Sequence, residues 1–322
     1  PMAMQPCRGR YRSAGPGGTS YVTSVKNQGQ CGSCWCFGTM ASIESHMLMH
    51  GGWRHNGQPD FSENHLNHHH NFDPIPPCMG GDYRMTSAYF SRGSGPVLES
   101  DAPYNYNTAP PEDLPVHYLV RNILWLNAQE DLSSIGEVKD VIMTRGAIGT
   151  SIYWSSGVYN GSEDSLYQPP SNGNDPNHSV TIVGWDDDRL TQAPEPGAWL
   201  CKNSWGASWS GDGYFWVSYH DKHAAKNPEM GAVSFQNVTR AFQHTTYAHD
   251  DHGWCAEEPY RNAVNAFTAS GDEALAAVSF YTTADDVDAT VRVYDRFENG
   301  ELLDLRTETT TSAAHTGLHT ID

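Results

Sequence analysis

The sequence has 322 residues, 38% hydrophobic and 11% aromatic, with 30 Gly and 19 Pro; it is long enough for two units and fits a loop-rich mixed globular class better than a helical bundle or a disordered chain. Acidic residues outnumber basic ones 38 to 19 for a net charge of −19, a field that repels phosphate backbones and anionic lipid headgroups and so argues against nucleic acid as a partner. No apolar run approaches the roughly 20 residues that span a bilayer, and PMAMQPCRGR lacks the apolar stretch of a signal peptide.

In chain order, residues 1 to about 23 are Gly- and Pro-rich and expected to be extended. From Ser33 to Met49 the spacing of Trp35, Phe37, Met40, Ile43, Met47 and Leu48 predicts a helix that begins at a cysteine. From Asp60 to about His117 short helices and loops are punctuated by DPIPP, MGGD and TAPPEDLP. From about Tyr118 to Thr239 the runs AIGTSIYW, SVTIVGW, AWLCKNSW and GYFWVSY alternate with period two and predict strands. After Arg240, AVSFYTT and TVRVYDR with turns at SGD and ENG predict a separate small β-sandwich. The abrupt start, and the end at TGLHTID while the text still reads as strand, lead us to expect both ends to be cut from a longer polypeptide and the sandwich to be incomplete.

Three strings carry chemistry. In NQGQCGSCWCFG, Cys34 at a helix N-terminus has the positive end of the helix dipole and free N–H groups beside its sulfur, which favours the thiolate. Gly32 allows close backbone approach to a substrate, and Gln28 supplies an amide donor for an oxyanion, with the Cys34 N–H as the second donor. In NHSVTIVGWD, His178 opens a strand and is a candidate base. In CKNSWGASWSGDGYFWVSY, Asn203 can hold the imidazole facing the sulfur while Trp205 covers that bond from water. A lone cysteine or histidine is more often structural; here the whole set argues for catalysis. Seven cysteines leave at least one thiol free unless pairing is between chains.

Taken together, QGQCGSCW, NHSVTIVGW and KNSWG, in that order, resemble the papain family of cysteine peptidases over residues 24 to 219 or so. The resemblance implies an α+β fold of two lobes, helical over about 24–117 and β over about 118–240, with the cleft between them inside a catalytic domain of residues 1–240. It implies the catalytic set Cys34, His178, Asn203 and Gln28 and a disulfide from Cys31 to Cys78. It also places Gly32, Ser33, Gly80, Gly81, Asn177 and Trp205 beside the substrate, Gly80 and Gly81 pairing with its backbone. Asp82 and Tyr83 replace a more apolar pair on the specificity wall, so basic substrate side chains are expected there. Cys36 stands where alanine is usual and should be a small buried hydrophobe. Asn203 lies 169 residues after Cys34, somewhat beyond the papain-type spacing, and the surplus is expected in the acidic loop of residues 186–198; a second disulfide common in eukaryotic members is not evident where HLNHHHNFD stands, which points to the prokaryotic branch.

The tail, residues 241–322, resembles the lectin-like module of bacterial and archaeal members, which implies glycan or cell-surface contact. A β-domain that only packs on the protease carries equal weight. His65, His68, His69 and His70 are read as solvated histidines at a helix end rather than a metal site, and the sequon at Asn177 as unused. The expected function is endopeptidase action on proteins or peptides through a thiolate–imidazolium pair and an acyl-enzyme, with no metal or organic cofactor, in a secreted or cell-surface setting. The alternatives are acyl transfer or transpeptidation on the same residues, an inactive surface-binding scaffold, and a His-rich metal carrier. The sequence assigns no role to Cys7, Cys201 or Cys255.

Overall fold

In the computed structural model, which describes residues 10–12, 20–226, 231–242, 245–256 and 261–322, the chain is organised around one buried helix. The helices are α1 (Cys34–His50), α2 (Glu63–His68), α3 (Tyr83–Ser91) and α4 (Ile135–Arg145). The strands are β1 (Arg10–Arg12), β2 (Tyr118–Leu126), β3 (Ile148–Ile152), β4 (Tyr159–Asn160), β5 (Ser165–Leu166), β6 (His178–Asp186), β7 (Ala198–Lys202), β8 (Tyr214–Ser218), β9 (Ala232–Arg240), β10 (Val278–Thr282), β11 (Val287–Glu298), β12 (Glu301–Ala313) and β13 (Gly317–Ile321).

Every residue of α1 from Trp35 to Met47 is buried, so its polar side chains need internal partners. Ser42 Oγ donates to Ala147 O at 2.6 Å, Ser45 Oγ accepts the Ala147 N–H at 2.8 Å, and His46 spans Arg145 O and the Asn237 N–H. These bonds fasten the helix to the turn that opens β3. On its other side, Trp35, Met40 and Ile43 pack with Phe61, Leu66 and Tyr89 into the core of the helical lobe.

One sheet runs in the order β10-β13-β2-β9-β3-β6-β7-β8-β5-β4, with β1 added to β6. β6 is buried at every position because it lies inside the sheet and also packs on α1, which explains a near-continuous run of apolar and small residues where a half-exposed strand would alternate. Ile182, Trp185, Trp199 and Phe215 form the second core with α4, whose Val138 and Ile142 face inward. That helix lies inside a stretch expected to form a β lobe. β6 and β7 are joined by the acidic loop, with Gly197 N–H donating to Arg189 O.

The tail is not a detached sandwich. β10 pairs with β13, and β13 pairs with β2 through Gly317↔Leu124 and Leu318↔Ile123, extending the same sheet. An open edge at β2 would present unpaired backbone groups, and the tail strands cover it. β11 and β12 form a separate two-stranded ribbon. Of the expected extended leader, residues 10–12 form a strand; Cys7 lies outside the described residues. No helix among the described residues is long and apolar enough to cross a membrane.

Candidate active site

Cys34 is the first residue of α1, after Ser33 at the cap position, where no side chain takes up the first-turn N–H groups. The thiol is half-buried. Burial pushes its pKa up, but the hydrogen bond and charge of His178, with backbone hydrogen bonds from Ser179 and Trp35, more than offset this and leave it below the ordinary thiol value. The neighbouring Cys36 shows what happens without those partners: fully buried, it is pushed well above the thiol range.

His178 stands at the start of β6, opposite Ile152 of β3, which directs its ring across the cleft to α1. Its Nε2 lies 2.8 Å from Asn203 Oδ1, and the Ser204 N–H donates to the same oxygen at 2.8 Å. Two donors on one oxygen fix the amide orientation, so Nε2 carries a proton and Nδ1 is the nitrogen left for Cys34. Trp205 stacks on the imidazole at 4.6 Å and 23°, closing this side from water.

Gln28 is held at both ends. Its Nε2 donates to Cys31 O at 2.7 Å, its Oε1 accepts from Ser204 Oγ at 2.6 Å, and its N–H donates to Ser204 O at 2.8 Å. One amide hydrogen remains for an oxyanion. Ser204, which sequence reasoning passed over although it sits in KNSW, therefore touches both the glutamine and the asparagine. Tyr104 is another omission: its hydroxyl donates to Gln28 O at 2.9 Å and lies 2.8 Å from Ser33 Oγ.

The disulfide Cys31–Cys78 is present, and beside it the Gly32 N–H donates to Cys78 O at 3.1 Å. A Cβ on Gly32 would stand 2.6 Å from that carbonyl oxygen, so the chain crossing, as much as a substrate, requires glycine here. Gly80, at φ +93°, faces open space, whereas a Cβ on Gly81 would meet the Trp35 ring at 2.4 Å.

Several sequence-based expectations change at this point. Ser33 is fully buried with its hydroxyl on Tyr104, so its side chain does not face substrate. Tyr83 is fully buried between Gly38 and Gly149, whose added Cβ atoms would each stand 2.5 Å from it; it belongs to the core and not to the specificity wall. Asp82 caps α3, its Oδ1 accepting the Met85 N–H at 2.9 Å; the cap uses one oxygen of the carboxylate expected to attract basic side chains. Asn177 uses both ends of its amide on the backbone of Trp154. His65 and His70 are buried, not solvated; His65 bonds Tyr89 Oη at 2.7 Å and Glu112 O. Among the described residues no group of three or more His, Cys, Asp and Glu is placed to hold a metal ion.

Across a small cavity from Asn203, Lys26 Nζ reaches Asp60 at 2.7 Å, Glu63 at 2.8 Å and Glu44 at 3.2 Å. Burial raises Glu63 to about 8 against the pull of Lys26. Burial lowers Lys202, the residue before Asn203, to about 8. The small cavity bounded by Lys26, Glu44, Glu63, Lys202, Asn203 and Ser204 joins this cluster to the site.

Comparison with known proteins gives two stretches of similarity. Residues 12–234 match the family model described as papain family cysteine protease, and residues 246–322 the one described as lectin like domain. Procathepsin L of Rattus norvegicus is 29% identical over 204 residues, which are 61% of this chain and 57% of that protein. The oryzain gamma chain of Oryza sativa subsp. japonica is 32% identical over 204 residues, 60% of this chain and 51% of its own length. The chain thus spans a little over half the length of these curated relatives. Among solved structures, the cysteine protease and lectin-like domains of Cwp84, a surface layer associated protein of Clostridium difficile, align with TM-score 0.79 and 23% identity over 99% of this chain and 72% of that one. Bromelain from Ananas comosus in complex with the E64 inhibitor aligns with TM-score 0.51 and 19% identity, over 74% of this chain and 100% of that one. At these identities the structural likeness is one of fold.

Proposed function

Since this chain belongs to the papain family of cysteine proteases, we propose that it is an endopeptidase acting on proteins or peptides through Cys34, His178, Asn203 and Gln28. The observation that carries this reading is the run of contacts from the thiol through the imidazole to the Asn203 oxygen at 2.8 Å. The Cys34 thiolate attacks the peptide carbonyl, and the negative charge that develops on oxygen is met by the free Gln28 amide hydrogen and the Cys34 N–H. His178 Nδ1 gives its proton to the departing amine, the C–N bond breaks, and a thioester to Cys34 remains. The same nitrogen then takes a proton from water as that water attacks the thioester, the C–S bond breaks, and the acid leaves with the Cys34 thiolate and the His178 imidazolium restored. Asn203 holds the ring in one tautomer throughout.

The reading includes contact with a glycan or cell surface through residues 246–322, supported by the lectin-like family match and by the fold shared with a surface layer associated protease. The test of the catalytic part combines a fluorogenic peptide panel under mild reductant with an epoxide that alkylates active thiols, followed by mapping of the adduct. Hydrolysis and Cys34 labelling are both expected, and both should vanish in Cys34→Ala. An unreactive Cys34 in folded protein would overturn the mechanism.

A further inference from the structure

We infer that the entry to the tail, residues 250–254, works with Arg92 as a part of the cleft: it pins the loop between α2 and α3 and so positions the wall that receives the substrate before the bond that is cut. This rests on the peptidase reading above, with Gly80 and Gly81 beside the substrate.

The loop, residues 69–82, runs from the end of α2 to the cap of α3. Its last part adjoins the nucleophile. Cys78 is bonded to Cys31, the Gly32 N–H donates to Cys78 O at 3.1 Å, and Met79 pairs with Gly32, two residues before Cys34. The amine that takes its proton from His178 departs on the histidine side, so the acyl part of the substrate runs the other way, past Gly32 and Gly80. Residues 73–76 are exposed, so the position of the loop depends on what holds its two ends.

The disulfide holds one end, and the tail holds the other. Arg92, at the C-terminus of α3, divides its guanidinium three ways: Nη2 donates to His69 O at 2.7 Å, Nη1 to Asp251 O at 2.9 Å and Nε to Ser94 Oγ at 2.9 Å. A planar fork of donors can join three segments in this way, whereas a lysine ammonium offers no such fixed geometry. Beside it, His252 Nε2 donates to Asn71 O at 2.9 Å, and the His252 ring meets Phe72 edge-on at 4.7 Å and 68°.

The tail segment is itself seated on the helical lobe. A Cβ on Gly253 would stand 3.1 Å from Ala88 Cα, so the chain crosses α3 in contact. Trp254 meets Trp125 of β2 edge-on at 5.6 Å, and the Arg84 guanidinium lies 5.1 Å from its ring centre. The Tyr281 hydroxyl of β10 lies 2.7 Å from Ser87 Oγ of α3. An anchored segment that grips the loop restricts it before substrate arrives. Less ordering is then left to do on binding, a gain that appears as affinity and not as rate.

The test uses the whole chain with coumarylamides that share one leaving group and carry one, two or four residues before the cleaved bond. Wild-type KM should fall as the acyl side lengthens. His252 is exposed, so His252→Ala should keep the fold; KM for the four-residue substrate should rise about two- to tenfold, the scale of one lost hydrogen bond. Its kcat, and both constants for the one-residue substrate, should stay within about twofold. His252→Gln, which keeps a donor for Asn71 O, should recover most of the loss, and Arg92→Met should lose more than His252→Ala. Amide exchange over residues 70–79 should quicken in both His252→Ala and Arg92→Met while that of α1 does not, a readout that needs no activity. Unchanged KM in both folded variants, an equal loss on the one-residue and four-residue substrates, or unchanged exchange over 70–79 overturns the inference and leaves the peptidase intact. No turnover of any substrate and no alkylation of Cys34 sinks the peptidase reading, and with it the role in substrate binding, whatever the exchange shows.

Discussion

Breaking the Cys31–Cys78 link should cost both stability and cleft geometry, and the size of the first effect follows from chain entropy. The two cysteines are 47 residues apart, and closing a loop of that length in the unfolded chain is worth about 4 kcal/mol at 25 °C. Spread over the unfolding entropy of a chain this long, that corresponds to a fall in Tm of about 6 °C. The comparison is best made by calorimetry between Cys34→Ala and Cys34→Ala with Cys31→Ser and Cys78→Ser, so that the nucleophile cannot exchange into a new disulfide. Restoring Cys34 in the double serine variant then reports the cleft: the Gly32 N–H to Cys78 O bond and the open Gly80 segment lose their covalent anchor, and KM should rise more than kcat falls. A Tm shift below about 2 °C would refute the entropy argument, because the loop would then have to be held as closely in the unfolded chain or the link would not form.

Asn203→Ala removes the acceptor of two donors, His178 Nε2 and the Ser204 N–H; at about 1–3 kcal/mol for a buried donor left unpaired, kcat should drop roughly ten- to hundredfold with KM little changed. Ser204→Ala frees the Gln28 oxygen and should lower kcat by about tenfold, in line with a misplaced oxyanion donor, measured on a fluorogenic peptide. Cys34 should be alkylated by iodoacetamide at acidic pH where an ordinary thiol is inert. In His178→Ala burial loses its main opposition, so the rising limb of the pH profile should move upward; an unmoved limb would disprove the ion pair. Lys26→Met leaves Glu44 and Glu63 buried without their cation and should destabilise by about 3–5 kcal/mol at neutral pH. Glu63 is already raised to about 8 by burial and rises further in that variant. A folded carboxyl pKa above its unfolded value gives stability at low pH that is lost as pH climbs through the folded value, so urea midpoints for Lys26→Met should recover on going from pH 8 to pH 5.

The residues proposed as catalytic were legible because each sits in a string whose local chemistry is unusual: a cysteine at a helix start, a histidine at the mouth of an apolar strand, an asparagine two positions before a tryptophan. The substrate wall was less legible, and Tyr83 shows why. In sequence it follows Gly81 and Asp82 and reads as the next residue along the cleft, but α3 begins there, and the helix turns its ring inward between two glycines that only the folded chain brings together. Ser33 fails in the same way, drawn off by Tyr104 from 71 positions away. The helix α4 was missed inside a stretch dominated by strands, its inward Val138 and Ile142 being β-branched. The tail strands were visible as strands, but that two of them complete the catalytic sheet depends on the open edge of β2.

Gln28 and Asn203, proposed to meet the oxyanion and to orient the base, come from distant parts of the sequence, yet the structure joins their segments as one unit. Residues 26–28 run against 204–206 through Gln28 N–H to Ser204 O, Gly206 N–H to Lys26 O and the bridge of Asn27 with Trp205. Lys26, at one end of that pairing, is clamped by carboxylates from α1, from α2 and from Asp60 ahead of it, while Lys202, just before Asn203, donates to Thr23 Oγ1, which in turn donates to Glu44 at 2.5 Å. A buried cluster of this kind contributes little net stability against well-packed apolar side chains, but it tolerates only one arrangement of its members. That arrangement fixes the register of 26–28 on 204–206, and with it the distance between the group that meets the oxyanion and the group that orients the base. On this argument Lys26→Met, rescued in stability by low pH, should still show a lowered kcat at pH 5, because protonation of Glu63 restores solvation balance without restoring the register.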